Sequence, residues 1–577
     1  MQTPTPRAPT SILALDVGHV WTRALLIERV AGIIRFVASG EAPTTHEDVV
    51  PGAQIAVKTL EANTGRRLLD ADGTPLSPEQ DGAGVDLVVV TSSAGPPLKV
   101  AVGGMVEQIS AASARRAALA VPSEIADQFV LDSPVGRWGN AEGATGVVER
   151  LLRRWPDAVV LAGGTEGSAD RALLELVDAV RLAVEARPEQ APPTLIFAGN
   201  SALHDEVREA VGEVVPLHLS PNIRPTLDDE RTREVGRLLD QQSRALALRR
   251  VPGLDILQQW GGREPLSHVE ALARTVQYLA LRGDGAVLGL DLGGEDASLA
   301  VTFRNRVTQT LVRTDLGVPS DAARLLEMVG AEQLIGWVPG LTPADDLLNH
   351  LLNLSLWPAQ RAATPEAVRV LHAAAREAMR LLLDEARAAW PGEEAHAPRF
   401  DTVLIGGSVA RSAPRPEQAL MMVLDTVQPV GITEVLRDRA GLIPAIGALA
   451  EHAPQVAAEL VERQGLERLA AVVTPFGGAG VGEEVLHFRL TQGGAVTEGA
   501  ARAGQLYRFP VLGETRLELL PRADFDVGFG PGKGVELTGT DDSVGLVIDA
   551  RGRPLVLPDG LEARRRFAGE WLRYAGA

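Results

Sequence analysis

The chain has 577 residues, 45% of them hydrophobic and 23% charged; this globular composition excludes a disordered chain and, at about 150 residues per domain, implies three or four domains. The formal net charge is −19 and lysine occurs only as Lys58, Lys99 and Lys533, which excludes the concentrated basic face that nucleic-acid binding needs. There is no cysteine, hence no disulfide, thiolate metal site or Cys nucleophile, and no stretch approaches the roughly 20 apolar residues of a membrane span, so a cytoplasmic location is expected.

Residues 1–10, MQTPTPRAPT, are rich in Pro and Thr, carry no signal-like segment and read as a flexible tail. Ser11–Leu15 is an apolar run ending in Asp16-Val17-Gly18, and strands follow at Thr22–Glu28 and Gly32–Ser39. A strand, a tight polar turn and a strand predict a hairpin rather than a βαβ unit. Between residues 81 and 220 four apolar runs recur, at Leu87–Val90, Ala158–Ala162, Leu195–Ala198 and Val214–Leu219. Helical patterns such as Val106–Leu119 and Arg171–Ala186 separate them, which predicts a parallel sheet covered on both faces. A helical stretch runs from about Leu227 to Leu281. Strands are then expected at Ala286–Leu290, Ala297–Phe303 and Val307–Val312, helices from Asp321 to Ala389, and a strand at Thr402–Ile405 running into Gly406-Gly407-Ser408. A further helix begins near Pro444 and carries Gly447. From about Val472 glycines punctuate short strand-like runs such as Leu486–Leu490 and Val544–Ile548, which reads as a β-rich block ending in a helix, Glu562–Tyr574.

Three glycine-bearing turns follow three apolar strands: Asp16-Val-Gly18 through Thr22, Asp291-Leu-Gly293-Gly294, and Gly406-Gly407-Ser408. Glycine lets the backbone come close to a phosphate, and the exposed N–H groups then cradle an anion. An Asp at a strand end can hold Mg²⁺, which prefers oxygen ligands. Each turn alone is equally an ordinary hairpin turn. Gly163-Gly-Thr-Glu-Gly-Ser168 follows a strand and could meet an anion, but it has no lysine and is not a P-loop. His19 has no nucleophile in a recognisable motif beside it, and the acids Glu295, Asp296, Asp345 and Asp346 read as turn residues that could also hold Mg²⁺.

The order of the three turns, with a long insertion after the first and helices after the second, resembles the duplicated fold of actin, sugar kinases and Hsp70 chaperones. Thr91-Ser-Ser-Ala-Gly95, Leu98-Lys-Val-Ala-Val-Gly103, Leu161-Ala-Gly-Gly-Thr165-Glu-Gly167, Phe197-Ala-Gly-Asn200 and Arg313-Thr-Asp-Leu-Gly317 narrow it. Successively they are similar to motifs of the MutL family that accompanies adenosylcobalamin-dependent glutamate mutase, over about residues 11–455. The resemblance implies an α/β chain with a duplicated actin-like (ribonuclease H-like) ATPase fold. It implies an N-terminal lobe at 11–284 with an α/β insertion at about 81–220, a C-terminal lobe at 285–464 and, outside the resemblance, a β-rich domain at 465–577. It also implies ATP and Mg²⁺ as ligands and a cobalamin-dependent mutase as partner, with a chaperone-type, reactivating role and weak ATPase activity. Asp16 and Asp291 match the catalytic and metal positions; Gly18, Thr22 and Arg23 match the first phosphate turn, Gly293 and Gly294 the second, and Gly406, Gly407 and Ser408 the adenosine turn.

The chain departs from the family pattern. His19 and Val20 stand where small hydroxyl residues are usual, Arg23 stands for a lysine, and Glu295-Asp-Ala-Ser298 replaces Ala-Thr-Thr-Asp. Acids beside a triphosphate repel it unless a cation intervenes. The same fold therefore also reads as a protein-binding scaffold with a degenerate nucleotide site. A small-molecule kinase is the third reading, and it requires an acceptor-activating carboxylate that the sequence does not identify.

Overall fold

A computed structural model describes residues 9–131, 143–168, 172–304, 306–340, 342–390, 392–395, 397–463, 465–511, 513–539 and 542–576. Most of the expected tail, residues 1–8, and Arg171 of the expected 171–186 helix lie outside the described residues. The chain divides into two compact units: Gly95–Val251 with Thr310–Thr314, and the remainder.

The larger unit begins with β1 (Ser11–Val17), β2 (Trp21–Val30) and β3 (Ile33–Pro43), an antiparallel meander, followed by β4 (Leu87–Ser92) parallel to β1. The run Leu87–Val90, grouped from the sequence with the insertion, is β4 and belongs to this first sheet. A continuous apolar run signals burial on both faces, but it does not name the sheet that buries it. The smaller unit carries β5 (Leu98–Gly104), β6 (Ser123–Val130), β7 (Ala158–Ala162), β8 (Thr194–Phe197) and β9 (Leu217–Leu219). They form an all-parallel sheet in the order β6-β5-β7-β8-β9. Helices Ala112–Ala118 and Arg233–Arg250 cover one face, and Leu173–Glu185 and His204–Val211 cover the other, so the insertion is a doubly wound α/β unit.

Back in the larger unit, β10 (Leu266–Ser267) pairs with β4 and completes a sheet in the order β10-β4-β1-β2-β3. The arrangement then repeats. β11 (Val287–Leu292) and β12 (Ala297–Thr302) are antiparallel, β13 (Gln309–Arg313), whose residues from Thr310 on are counted with the smaller unit, follows, and β14 (Thr402–Gly406) and β15 (Gly431–Arg437) lie parallel beyond β11, giving the strand order β13-β12-β11-β14-β15. Both sheets thus run third, second, first, fourth, fifth in their own strand order, which is the duplicated ribonuclease H-like architecture. One apolar core joins them: Ile12, Leu25 and Val89 from the first sheet and Val287, Leu404 and Leu436 from the second pack on the helices His268–Gly283 and Ile443–His452. This shared core brings the two Asp-x-Gly turns to one place.

Gly447 sets the approach of those helices. A Cβ there would lie 2.3 Å from Ala271 Cα and 2.7 Å from Ala271 O, and backbone does not yield as a flexible side chain would. Gly447→Val is expected to destabilise the protein by about 3 kcal/mol, the upper part of the usual range for overpacking, read as a lowered urea midpoint with an unchanged slope.

The β-rich block divides between two sheets. β16 (Glu467–Thr474) pairs antiparallel with β15, and β22 (Gly545–Asp549) and β19 (Leu506–Phe509) extend the second sheet to eight strands. β17 (Glu484–Gln492), β18 (Ala495–Arg502), β20 (Thr515–Pro521) and β21 (Val535–Gly539) form an antiparallel sheet of their own. Among the described residues no helix is long and apolar enough to cross a membrane.

Candidate functional site

Strand register builds the first half of the site. Asp16, at the end of β1, stands opposite Arg23 on β2 and beside Thr91 on β4. Thr91 Oγ1 donates to Asp16 Oδ1 at 3.0 Å, and Arg23 Nη1 lies 3.5 Å from Asp16 Oδ2. Side chains alternate along a strand, so Thr22 faces the other way. It is fully buried, its Oγ1 is 2.9 Å from Thr44 Oγ1, and Thr44 in turn donates to the Gly18 carbonyl at 2.8 Å. Thr22 braces the turn from behind and does not join the residues around the cavity. Gly18 N–H donates to Trp21 O at 3.0 Å, and a Cβ at Gly18 would sit 2.9 Å from that oxygen.

His268, which sequence reasoning passed over, completes this half. It opens the helix that follows β10, and its Nε2 hydrogen-bonds Asp16 Oδ1. The spacing Ser267-x-x-Glu270 marks that helix start, and Ser267 Oγ accepts Glu270 N–H. No local signal says that the helix begins beside Asp16. Burial alone would raise the Asp16 carboxyl, but His268 and Arg23 hold it down at about 2. Burial would lower His268, but Asp16 first, with Asp291 and Asp296, raises it to about 9, so the imidazole is charged at neutral pH.

The second half comes from β11 and β14. Asp291 stands beside Gly406, where a Cβ would meet Asp291 Oδ2 at 2.7 Å; Gly406 makes room for this carboxylate rather than lining the cavity. Gly407 has φ +86, and a Cβ on it would lie 2.2 Å from Leu292 O. Only glycine lets this turn lie against the Asp291 turn. The expected segment after the second turn holds it in place: Val318 N–H donates to Gly293 O at 3.0 Å, Ser320 N–H to Gly294 O at 3.1 Å, and Gly317 packs on the Glu295 backbone. Among the described residues the Asp291 carboxylate accepts no hydrogen bond. Burial, with Asp296 and Asp438 against the counteracting His268, raises its carboxyl to about 6.

The two halves enclose a cavity of about 370 Å³, lined by Asp16, Gly18, Arg23, Asp291, Gly293, Gly294, Gly407 and Ser408, and also by His19, Val20, His268, Glu295, Asp296 and Asp438. Asp438 is structural: its carboxylate accepts the N–H groups of Gly441, Leu442 and Ile443, each at 2.8 Å, and so caps the Ile443–His452 helix. Away from the aspartates the cavity wall is basic. Arg23, Arg361 and Arg411 all converge on the single carboxylate of Glu41. The Nε–H groups of Arg23 and Arg411 are buried without an acceptor, and both side chains line the cavity. Three guanidinium groups share one carboxylate, so this part of the wall carries an excess of positive charge, the chemistry of an anion site.

Mg²⁺ can be tested against this set. The Asp16 oxygens are engaged by His268, Thr91 and Arg23, whereas Asp291 offers a sheltered, unbonded carboxylate. Among the described residues no three His, Asp or Glu side chains are grouped to hold a metal by themselves. This fits Mg²⁺, which usually takes one or two carboxylates and completes its shell with water and substrate phosphates.

The remaining candidates stand elsewhere. In the smaller unit the Gly163–Ser168 loop is braced internally: Asn222 donates to Gly164 O at 2.9 Å, Asn200 to Ser168 O at 2.7 Å, and Ser201 to Glu166. Asp345 and Asp346 lie in the first turn of the Ala344–Leu356 helix, where carboxylates favour the helix dipole.

Among solved structures, nucleotide-free acetone carboxylase is similar over 86% of this chain and 81% of its own, at 10% identity and a TM-score of 0.32. The ATP-dependent caprolactamase from Pseudomonas jessenii is similar over the same shares at 13% identity and a TM-score of 0.32. Component A of (R)-2-hydroxyglutaryl-CoA dehydratase from Acidaminococcus fermentans is similar over 78% of this chain and 99% of its own, at 8% identity and a TM-score of 0.26. No curated protein matches the chain. The family described as MutL protein matches residues 12–464, which include both ribonuclease H-like sheets through β15, the insertion and every residue of the site. On that match and on this duplicated actin-like fold, the chain belongs to the MutL family, the one associated with glutamate mutase.

Proposed function

We propose that this protein is an ATP-binding accessory factor that serves an adenosylcobalamin-dependent mutase, with the nucleotide held between the two Asp-x-Gly turns. The observation that carries the reading is the pairing, in one cavity, of an unbonded carboxylate at Asp291 with the arginines Arg23 and Arg411, which share Glu41. Arginines on one side suit phosphates, and Asp291 on the other suits the Mg²⁺ that accompanies them. Asp16, tied to His268 and Arg23, serves to hold the first turn and to join it to the His268–Gly283 helix. Chaperone-type reactivation of a mutase is the role that family membership supports for such a nucleotide-dependent protein.

Calorimetric titration with ATP and with ADP, each in Mg²⁺ and in EDTA, tests the site. Nucleotide binding strengthened by Mg²⁺ is expected. Asp291→Asn should lose most of that Mg²⁺ dependence and weaken Mg-nucleotide binding by about tenfold to a hundredfold, equivalent to roughly 1.4–2.8 kcal/mol. Equal affinities with and without Mg²⁺, unchanged in Asp291→Asn, would remove Asp291 from this role. Absence of any nucleotide binding would leave the fold as a protein-binding scaffold.

A further inference from the structure

The two turns touch each other on one side of the cavity. His19 Nε2 lies 3.5 Å from Glu295 Oε2, so the first turn and the second are joined by an ion pair when the imidazole is charged. Beside it, a Cβ added to Gly294 would lie 2.4 Å from Val20 Cγ2 and 3.3 Å from Val20 Cβ, so the Val20 side chain rests directly on the Gly294 backbone. A phosphoryl group gripped by both turns needs a hydrogen bond of about 2.9 Å on each side in addition to its own width. Where Val20 is seated on Gly294 that space is filled. The cavity beside this contact is bounded by both turns and extends to Arg23, Arg411 and the Gly407-Ser408 turn, where the guanidinium charge is. The volume of the whole cavity, about 370 Å³, is at the small end of the roughly 300–1,000 Å³ of ligand pockets.

We propose that the contact of His19 and Val20 with Glu295 and Gly294 makes the site selective for a nucleoside diphosphate over a triphosphate. This rests on the nucleotide-binding reading above and adds its selectivity and its regulation. A diphosphate occupies the arginine side with the turns closed. A third phosphate reaches the position Val20 occupies, beside the Glu295 carboxylate, and enters only when the two turns separate. Triphosphate binding is therefore coupled to opening, and its apparent affinity is reduced by the cost of breaking the Val20–Gly294 contact and the His19–Glu295 pair. A partner that senses the separation of the turns would read which nucleotide is bound.

The test is calorimetric titration of the full chain with Mg-ADP and Mg-ATP, for the wild type, Val20→Gly and Glu295→Gln. The wild type should bind ADP at least about tenfold more tightly than ATP, a difference of about 1.4 kcal/mol. Val20→Gly should tighten ATP binding toward that of ADP while ADP affinity stays within about threefold. Glu295→Gln removes the charge without changing the size of a side chain that is 41% exposed, so it should fold even if Val20→Gly does not, and it should shift ATP in the same direction. Equal affinity for ATP and ADP in the wild type, or variants that weaken both nucleotides alike, would overturn the selectivity and leave the nucleotide site standing. Failure of the wild type to bind either nucleotide at millimolar concentration would overturn the nucleotide-binding reading and this inference with it.

Discussion

Asp549→Ala is expected to destabilise the folded chain by about 3–5 kcal/mol, the cost of leaving a buried ion pair half empty, and the effect should appear as a large drop in the urea midpoint. Asp549 ends β22 and has no solvent exposure. Arg551 grips it with two hydrogen bonds of 2.9 Å, and Arg553 adds a third at 2.7 Å. Arg551 also reaches Asp425 at 2.7 Å, and Asp425 holds Arg376 at 2.7 Å. Trp571, in the helix Leu561–Ala575, covers the Arg551 guanidinium at 4.8 Å. Removing Asp549 strands Arg551 and Arg553, both nearly devoid of exposure, with less opposite charge than they need. Asp549→Asn keeps the shape and part of the hydrogen bonding and should lose less. Burial would raise the Asp549 carboxyl, yet Arg551 and Arg553 hold it far below the ordinary carboxylate range. A depressed carboxyl stabilises the fold above its unfolded value of about 3.9 and loses that contribution as pH falls below it. Acid unfolding below pH 4 should therefore be shallower in Asp549→Ala. The same network explains why the last hundred or so residues, which the family match does not reach, are integral: they supply β16 to the edge of β15 and Arg551 to Asp425.

His268→Gln is expected to cost roughly 3 kcal/mol at pH 6 and much less at pH 9. The imidazole is raised from 6.5 to about 9 by the pair it makes with Asp16, and its side chain is only 20% exposed. A group whose folded value is raised contributes its full stability below the unfolded value and loses it as pH rises through the folded one. The stability of the wild type should therefore decline between pH 6.5 and 9, while that of His268→Gln stays flat across this window. Urea titrations at a series of pH values decide the matter. Parallel profiles for the two proteins would mean that the Asp16–His268 pair carries little of the stability. The two aspartates of the site act outside the window: Asp16, lowered to about 2, loses its contribution at acid pH, and Asp291, raised to about 6, acts between about 4 and 6.

Much of this protein is written locally. Each Asp-x-Gly turn lies at the end of an apolar run that is a strand, the Gly406-Gly407 turn follows β14, and the 443–452 helix starts with Pro444 at its first turn and carries the Gly447 that its packing requires. Such signals depend on a few neighbouring residues: side-chain period, a backbone angle that suits glycine, a donor that needs a cap. From them the order of turns and helices was legible, and with it the family. The alternation that turns Arg23 toward the cavity and Thr22 away from it was also available in the residues, once the end of the strand was known.

What the sequence by itself left open is who meets whom across the chain. Leu87–Val90 is equally apolar whether it pairs with β1 or with the insertion's strands, and only the closed fold selects β1. His268 reaches Asp16 across 252 positions, and His19 meets Glu295 from the other lobe's turn. No local preference encodes such pairings. They follow from strand order, from the shared core that sets the two sheets around the His268–Gly283 and Ile443–His452 helices, and from the need of buried charges for partners. The sequence therefore determined the elements, their order and the identity of the turns. The tertiary structure alone decided that Asp16 is already paired with His268, that the Asp291 carboxylate accepts no hydrogen bond among the described residues, and that Val20 closes on Gly294. Those distinctions depend on distances between residues that the chain brings together only when it folds.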